Sequence, residues 1–343
     1  MKKVLMWLTL ITVLTTTLMS GCAGSADNGA PSADQTPEAQ QSQQTGDSAS
    51  EEKAKIFMIV TDMKATYASW LATATQDLAA AEFPEFDLVV LDGENNVERQ
   101  ISHIENCVSQ QADMIICQSL DVSAMAPYIN DAIDKGIPVC VVNVVATGSP
   151  GASNVLADGV QQGEEPAKEA AKRIPENGKV VILLGPSGEI FSDNRLQGYQ
   201  NELFDKRPDI EILDQQIANW SKDEAMNIME DWLQRFDHID GVLSMNDAMA
   251  MGAIEAAKST NRLDEMTYYG IDGLIDACHS VNDGELTVSY LQNAYEQAKG
   301  SLEVCRKVLN GEIDKEIIYT DGALITKENA QEWIDYHKAN GND

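Results

Sequence analysis

A repeated rhythm constrains this chain more than any other feature. Short unbroken apolar runs each end on a polar side chain, and a stretch with helical spacing follows each of them. IFMIV (56–60) opens the series, FDLVVLD ends it again at Asp92, DMIICQS places Gln118 at a run's end, and IPVCVVN ends at Asn143. Runs of this length without polar interruption read as strands covered on both faces. Helical spacing fills residues 67–81, 97–111 and 125–135 between them. Strands alternating with helices imply a parallel, doubly wound α/β sheet.

The pattern then restarts. Asp158 and Gly159 precede a helix running to Arg173, and GKVVILLG (178–185) is the next strand. EILDQQIANW ends at Trp220, and a helix over 222–235 leads into GVLSMNDAMAMGA (241–253). TYYGIDG places Asp272 at a strand end, LTVSYLQ places Gln292 at another, and helices over 294–310 and 329–339 flank the strand EIIYTD. The chain thus reads as two copies of one architecture. Its 343 residues suit two domains at about 150 residues each.

In open α/β sheets the carboxyl ends of the strands face the crevice where ligands sit. The polar residues there are planar hydrogen-bonding groups: Asp62, Gln118, Asn143, Asn246, Asp272 and Gln292. Arg195 stands at the start of a helix after a glycine-rich turn, with Tyr67 and Trp220 close to strand ends. Asn both donates and accepts, Asp accepts and Arg donates, so such a set suits a polyhydroxylated ligand whose hydroxyls do both. In the 241–253 stretch, Asp247 also reads as a helix cap.

The amino terminus predicts export. Lys2 and Lys3 precede an apolar segment over 4–19 that is short for a membrane span, and LMSGC follows. It resembles a bacterial lipoprotein signal: residues 1–21 are removed and Cys22 becomes the lipid-bearing first residue. Residues 22–53 are poor in large apolar side chains and read as a disordered tether. The expected location is extracytoplasmic, anchored by lipid to the cell membrane or periplasmic. The formal charge of −31 argues against nucleic acid as a partner. Beyond Cys22 the cysteines are Cys107, Cys117, Cys140, Cys278 and Cys305, an odd number without CxxC spacing, so no zinc site or full disulfide framework is expected.

No enzyme motif assembles. GPSGEIFSDNRLQG (185–198) lacks the Lys and the following Ser or Thr of a phosphate loop, and GxGxxG, GxSxG and HExxH are absent. His103, His238, His279 and His337 fall in helical or turn contexts away from the strand ends. Neither catalysis, a metal nor a cofactor is expected.

From residue 55 to residue 325 the chain resembles a type I periplasmic binding protein of the ribose, galactose and glucose group. The resemblance rests on LVVLDGENN (88–96), GIPVCVVN (136–143), NRLQGYQ (194–200), SMNDAMAMGA (244–253), YGIDG (269–273) and VNDGELTVSYLQ (281–292) taken together. It implies two doubly wound lobes joined by three crossings near 157–158, 292–293 and 320–321. Residues 54–157 with 293–320 form one lobe, and 158–292 with 321–343 the other. Family ligand positions fall on Tyr67, Gln118, Asn143, Arg195, Trp220, Asn246, Asp272 and Gln292, and Asp62 and Asp158 complete the candidate set. The sequence departs from the family at Ala65 and Ala68, where a polar and an aromatic residue are common, with Asp62 and Trp70 nearby to compensate. It departs again at Asn143 and Val144, where Asp-Arg is common. The implied function is a monomeric lipoprotein receptor that delivers a sugar or polyol to an ABC transporter permease. The alternative is a ligand-sensing subunit for a chemoreceptor or sensor kinase.

Overall fold

The computed structural model describes residues 53–341. Its strands form two six-stranded sheets. The first contains β1 (Ala54–Val60), β2 (Phe86–Asp92), β3 (Met114–Cys117), β4 (Val139–Val142), β5 (Ser153–Leu156) and β11 (Ile317–Tyr319). They lie in the order β11-β5-β4-β3-β1-β2, all parallel. The second contains β6 (Lys179–Leu184), β7 (Glu211–Ile217), β8 (Gly241–Ser244), β9 (Thr267–Asp272), β10 (Val288–Leu291) and β12 (Ala323–Ile325). Their order is β12-β10-β9-β8-β6-β7, parallel except for the antiparallel β12. The two sheets share one strand order, each with its sixth strand supplied from late in the chain. The chain passes between the sheets after β5, after β10, and between β11 and β12.

Helices α1 (Thr66–Glu82), α2 (Val97–Ser109), α3 (Val122–Asp134), α4 (Gly159–Arg173) and α5 (Ile190–Tyr199) connect the earlier strands. α6 (Lys222–Arg235), α7 (Asp247–Ser259), α8 (Ile275–Asp283) and α9 (Ala294–Leu309) connect the later ones, and α10 (Ala330–Ala339) follows β12. Several begin at a side chain that accepts a first-turn N–H: Asn96, Asp121, Asp158, Ser221, Asn246 and Asn293. Such a cap stabilises a helix by about 1 kcal/mol and fixes where it starts. Inner strands β1, β3, β4, β6, β8 and β9 bury Ile56, Met58, Ile116, Val141, Ile182, Leu243 and Ile271 completely.

Three expectations need correction. β2 is an edge strand, not one covered on both faces, and Val89 is 40% exposed. β5, β12 and α8 lack an apolar run that would announce them. In β5 the polar residues are buried because they are bonded: Asn154 holds Val141, Val144 and Ala146, and Ser153 Oγ accepts from Glu316 N. The strand that was to end at Trp220 ends at Ile217. The five described cysteines are buried and free.

Candidate functional site

The strand ends of the two sheets meet around Arg195. This residue lies in the middle of α5 and not at its start, because the helix already begins at Ile190. It is 4% exposed. Its Nε donates to Gln162 Oε1 at 2.9 Å and its Nη1 to the carbonyl of Met245, just beyond β8. Its Nη2 donates to Gln292 Oε1 at 2.8 Å and to Asp272 Oδ1 at 3.3 Å. The Arg195–Asp272 pair is therefore a buried ion pair. The guanidinium also lies 5.5 Å from the Phe191 ring centroid and 5.4 Å from that of Trp220, within cation–π range.

Local sequence explains why α4 and α5 come this close. A Cβ on Gly163 would fall 2.1 Å from the Arg195 carbonyl oxygen, and one on Gly198 would fall 2.4 Å from that of Val160. Only glycine lets the two backbones approach so nearly. That approach sets Gln162 against Arg195. Gln162 is fully buried, and its Nε2 donates to Gln292 Oε1 at 2.5 Å.

From the first sheet, Asn143 reaches across and accepts from Gln292 Nε2 at 2.5 Å. Gln118 accepts from the N–H and hydroxyl of Thr61, each at 3.3 Å. Its own backbone carbonyl is held by Gln100 Nε2 at 2.8 Å, and Gln100 also bonds Val60 O and Leu120 N. The Tyr67 hydroxyl is buried without a hydrogen-bond partner among the described residues. Burial pushes its pKa up, with Gln292, Asp272 and Arg195 all close enough to act on it. Backbone strain gathers here: φ is 69° at Asn143, 60° at Trp220 and 126° at Asp272. Side-chain-bearing residues hold such angles only where surrounding structure dictates them.

Burial dominates the electrostatics. Desolvation by burial shifts the Asp272 and Asp247 carboxyls upward; Arg195 opposes both shifts, the Asp247 charge adds to the rise at Asp272, and the hydrogen bonds Asp247 accepts from Ser289, Leu274 and Gly273 oppose its own. Asp247 is not the cap of α7. Asn246 is, accepting from Met249 N at 2.9 Å, while its Nδ2 donates to Trp220 O at 3.3 Å. The Asp247 carboxylate instead accepts from Ser289 Oγ at 2.7 Å and Leu274 N at 2.9 Å, tying α7 to β10 and to the turn after β9. Trp220 donates from Nε1 to Glu189 at 2.6 Å, and burial raises the Glu189 carboxyl.

Arg195, Asp272, Gln292 and Asn143 are joined by hydrogen bonds, Tyr67, Trp220 and Asn246 border them, and Gln118 ends the neighbouring strand. Asp62 and Asp158 engage their own backbones instead. Asp62 accepts from Lys64 N, and the exposed Asp158 accepts from Val160 N and Gln161 N. Trp70 is a core residue, 5.9 Å from Tyr67 and 4.8 Å from His337 by ring centroids. Contrary to expectation, His337 lies beside a strand end: it is buried, and its Nε2 is 2.7 Å from Gly273 O. Cys22 and the signal and tether segments lie outside the described residues, apart from Lys53.

Sequence reasoning missed Gln162, Gln100, Phe191 and Glu189. Gln162 had a signal. The buried stripe of α4 is Gly159, Gln162, Gly163, Pro166, Ala167 and Ala170, and it is the one large polar residue in a row of small and apolar ones. Among the described residues no cluster of His, Cys, Asp or Glu is arranged to hold a metal ion, and no helix is long and apolar enough to cross a membrane.

Two facing parallel-sheet lobes with a polar network between their strand ends define a class of solute-binding proteins rather than an enzyme. Residues 56–313 match the family described as periplasmic binding protein domain, and this chain belongs to it. Members of that family are extracytoplasmic. The chain is 33% identical over 258 residues to a xylitol-binding protein of Mycolicibacterium smegmatis, covering 75% of this chain and 73% of the relative. It is 33% identical over 253 residues to a putative rhizopine-binding protein of Rhizobium meliloti, covering 72% and 82%. Its fold matches an ABC transporter solute-binding protein from Bacillus halodurans with bound myo-inositol, with a TM-score of 0.78, 27% identity and coverage of 84% and 99%.

Proposed function

We propose that this protein captures one molecule of a sugar or polyol between its two lobes and hands it to the permease of an ABC importer. The observation carrying this reading is the buried run Arg195–Gln292–Asn143, which joins the strand ends of both sheets. A ligand lodged there meets both lobes at once, and closure removes it from water. The lobes are residues 54–157 with 293–320 and 158–292 with 321–343, hinged at the three crossings. Arg195, Asn246, Asp272, Gln292 and Trp220 form one wall, and Tyr67, Gln118 and Asn143 the other. Asp62 and Asp158 lie at the rim. Xylitol-, rhizopine- and myo-inositol-binding relatives support a polyhydroxylated ligand.

In this reading the receptor acts as a monomer, tethered through a lipid on Cys22. A clickable fatty acid should label the wild type and not Cys22→Ser; equal labelling removes the anchor. Binding is tested by calorimetric titration with xylitol, myo-inositol and D-ribose. One-to-one binding of at least one is expected, and silence against every sugar and polyol offered contradicts the reading.

A further inference from the structure

An arginine side chain carries only donors. Arg195 therefore decides which way the amides around it face. Its Nε meets Gln162 Oε1, so Gln162 must turn Nε2 outward, and that group donates to Gln292 Oε1. Gln292 Oε1 also accepts from Arg195 Nη2. With its oxygen held from two sides, Gln292 turns Nε2 toward Asn143 and donates to Oδ1. Asn143 is left with Nδ2, a donor, as the end of the amide these bonds do not engage. The polarity runs one way along the whole series, from a cation on the second lobe to an N–H₂ on the first.

Gln162 is the junction. It touches both Arg195 and Gln292 and joins α4, which opens just after the first crossing, to the residue at the second crossing. Packing alone does not require an amide there, because Gly163 and Gly198 already bring α4 and α5 together. We propose that Gln162 is a positioning residue for recognition: it orients Arg195 and Gln292 so that Asn143 meets the ligand as a donor. The ligand class follows, and this step rests on the polyol reading above. The molecule offers an oxygen acceptor, a hydroxyl or ring ether, to Asn143 and a hydroxyl proton to Asp272. An ammonium group at the Asn143 end is rejected, since two donors would face each other.

The test compares wild type with Gln162→Met, which keeps length and volume but forms neither hydrogen bond. Two readouts are combined. The first needs no ligand: the Arg195 Nε–H resonance, assigned by its loss in Arg195→Lys, should be protected from solvent exchange in wild type and lose that protection in Gln162→Met. The second is affinity for whichever of xylitol, myo-inositol and D-ribose binds the wild type. Gln162→Met should weaken it at least about tenfold. Asn143→Asp, which swaps donor for acceptor, should weaken it similarly in wild type but much less in the Gln162→Met background, the non-additivity expected of one network. Gln162→Glu, which still accepts from Nε but cannot donate to Gln292, should fall between. Unchanged Nε–H protection in Gln162→Met, unchanged affinity in that variant, or additive effects with Asn143→Asp each overturn the proposal. If all three probes leave the wild type silent while Nε–H protection still depends on Gln162, the positioning role stands and the polyol reading fails.

Discussion

The second lobe brings Arg195 and Asp272 to the strand ends, with Asp247 buried nearby, whereas the first brings Gln118, Asn143 and Tyr67, none of them charged. The charged wall is densely bonded before any ligand arrives. Arg195 makes four hydrogen bonds to protein groups, and Asp247 accepts two. The neutral wall is thinner, with the Tyr67 hydroxyl unpartnered and the Asn143 amide nitrogen free of the network's bonds. Buried charge must be compensated at all times or it neutralises itself. Neutral amides and phenols cost far less than charges to move between water and a dry site. In the proposed reading the second lobe is the prebuilt platform, and the first is the wall that closes over the ligand.

The largest effect that would break this contrast is expected from Arg195→Ala. It leaves Asp272 buried without its cation, and removing one partner of a buried pair costs about 3–5 kcal/mol. Both apo stability and binding should suffer, seen by thermal unfolding and calorimetry. An unperturbed protein with wild-type affinity would show that the charged wall is not a platform. Asp272→Asn keeps the shape and some hydrogen bonding, and should weaken binding at least about tenfold, equivalent to about 1.4 kcal/mol.

Acidity sharpens the contrast further. Burial raises the Asp272 carboxyl above the usual range, so the folded protein holds this proton more tightly than the unfolded chain does. Its contribution to stability is therefore lost as pH rises from the unfolded value of about 4 toward neutrality, and regained on acidification. Affinity should move the other way, because ligand hydroxyls donate to the carboxylate. Denaturation and titration series across that window should show opposite slopes in wild type and a flattening of both in Asp272→Asn. Slopes unchanged in the variant would assign the titration elsewhere.

On the neutral wall the effects should be smaller. Tyr67→Phe removes a buried hydroxyl without a partner, so apo stability should hold or rise while affinity falls by about fivefold, near 1 kcal/mol. A loss as large as that of Arg195→Ala would erase the distinction between the walls. Asp158→Ala should cost only the α4 cap, about 0.5–2 kcal/mol of stability, and leave affinity unchanged. A parallel loss of affinity would put Asp158 in the site.

Much of this was legible from periodicity. Gln118, Asn143, Asn246, Asp272 and Gln292 stand where an apolar run stops, and in a parallel sheet that position is the crevice edge. Roles set by three-dimensional neighbours were not legible. Nothing in the order of residues says that Asn246 and not Asp247 caps α7, or that β2 forms an edge. Trp220 looks like the last residue of a strand, yet it occupies a turn with positive φ, bonded through Glu189 and facing Arg195. Gln162 and Gln292 are 130 positions apart, and no local pattern links them. Only the polar interruption of α4's buried stripe hinted that such a partner was needed.

Whether the charged wall of the second lobe holds a polyhydroxylated ligand is decided by calorimetric titration of wild type and Arg195→Ala with xylitol, myo-inositol and D-ribose. One-to-one binding of at least one of them to the wild type, and its loss in Arg195→Ala, is the expected result. Binding that survives intact without the Arg195 side chain would contradict it.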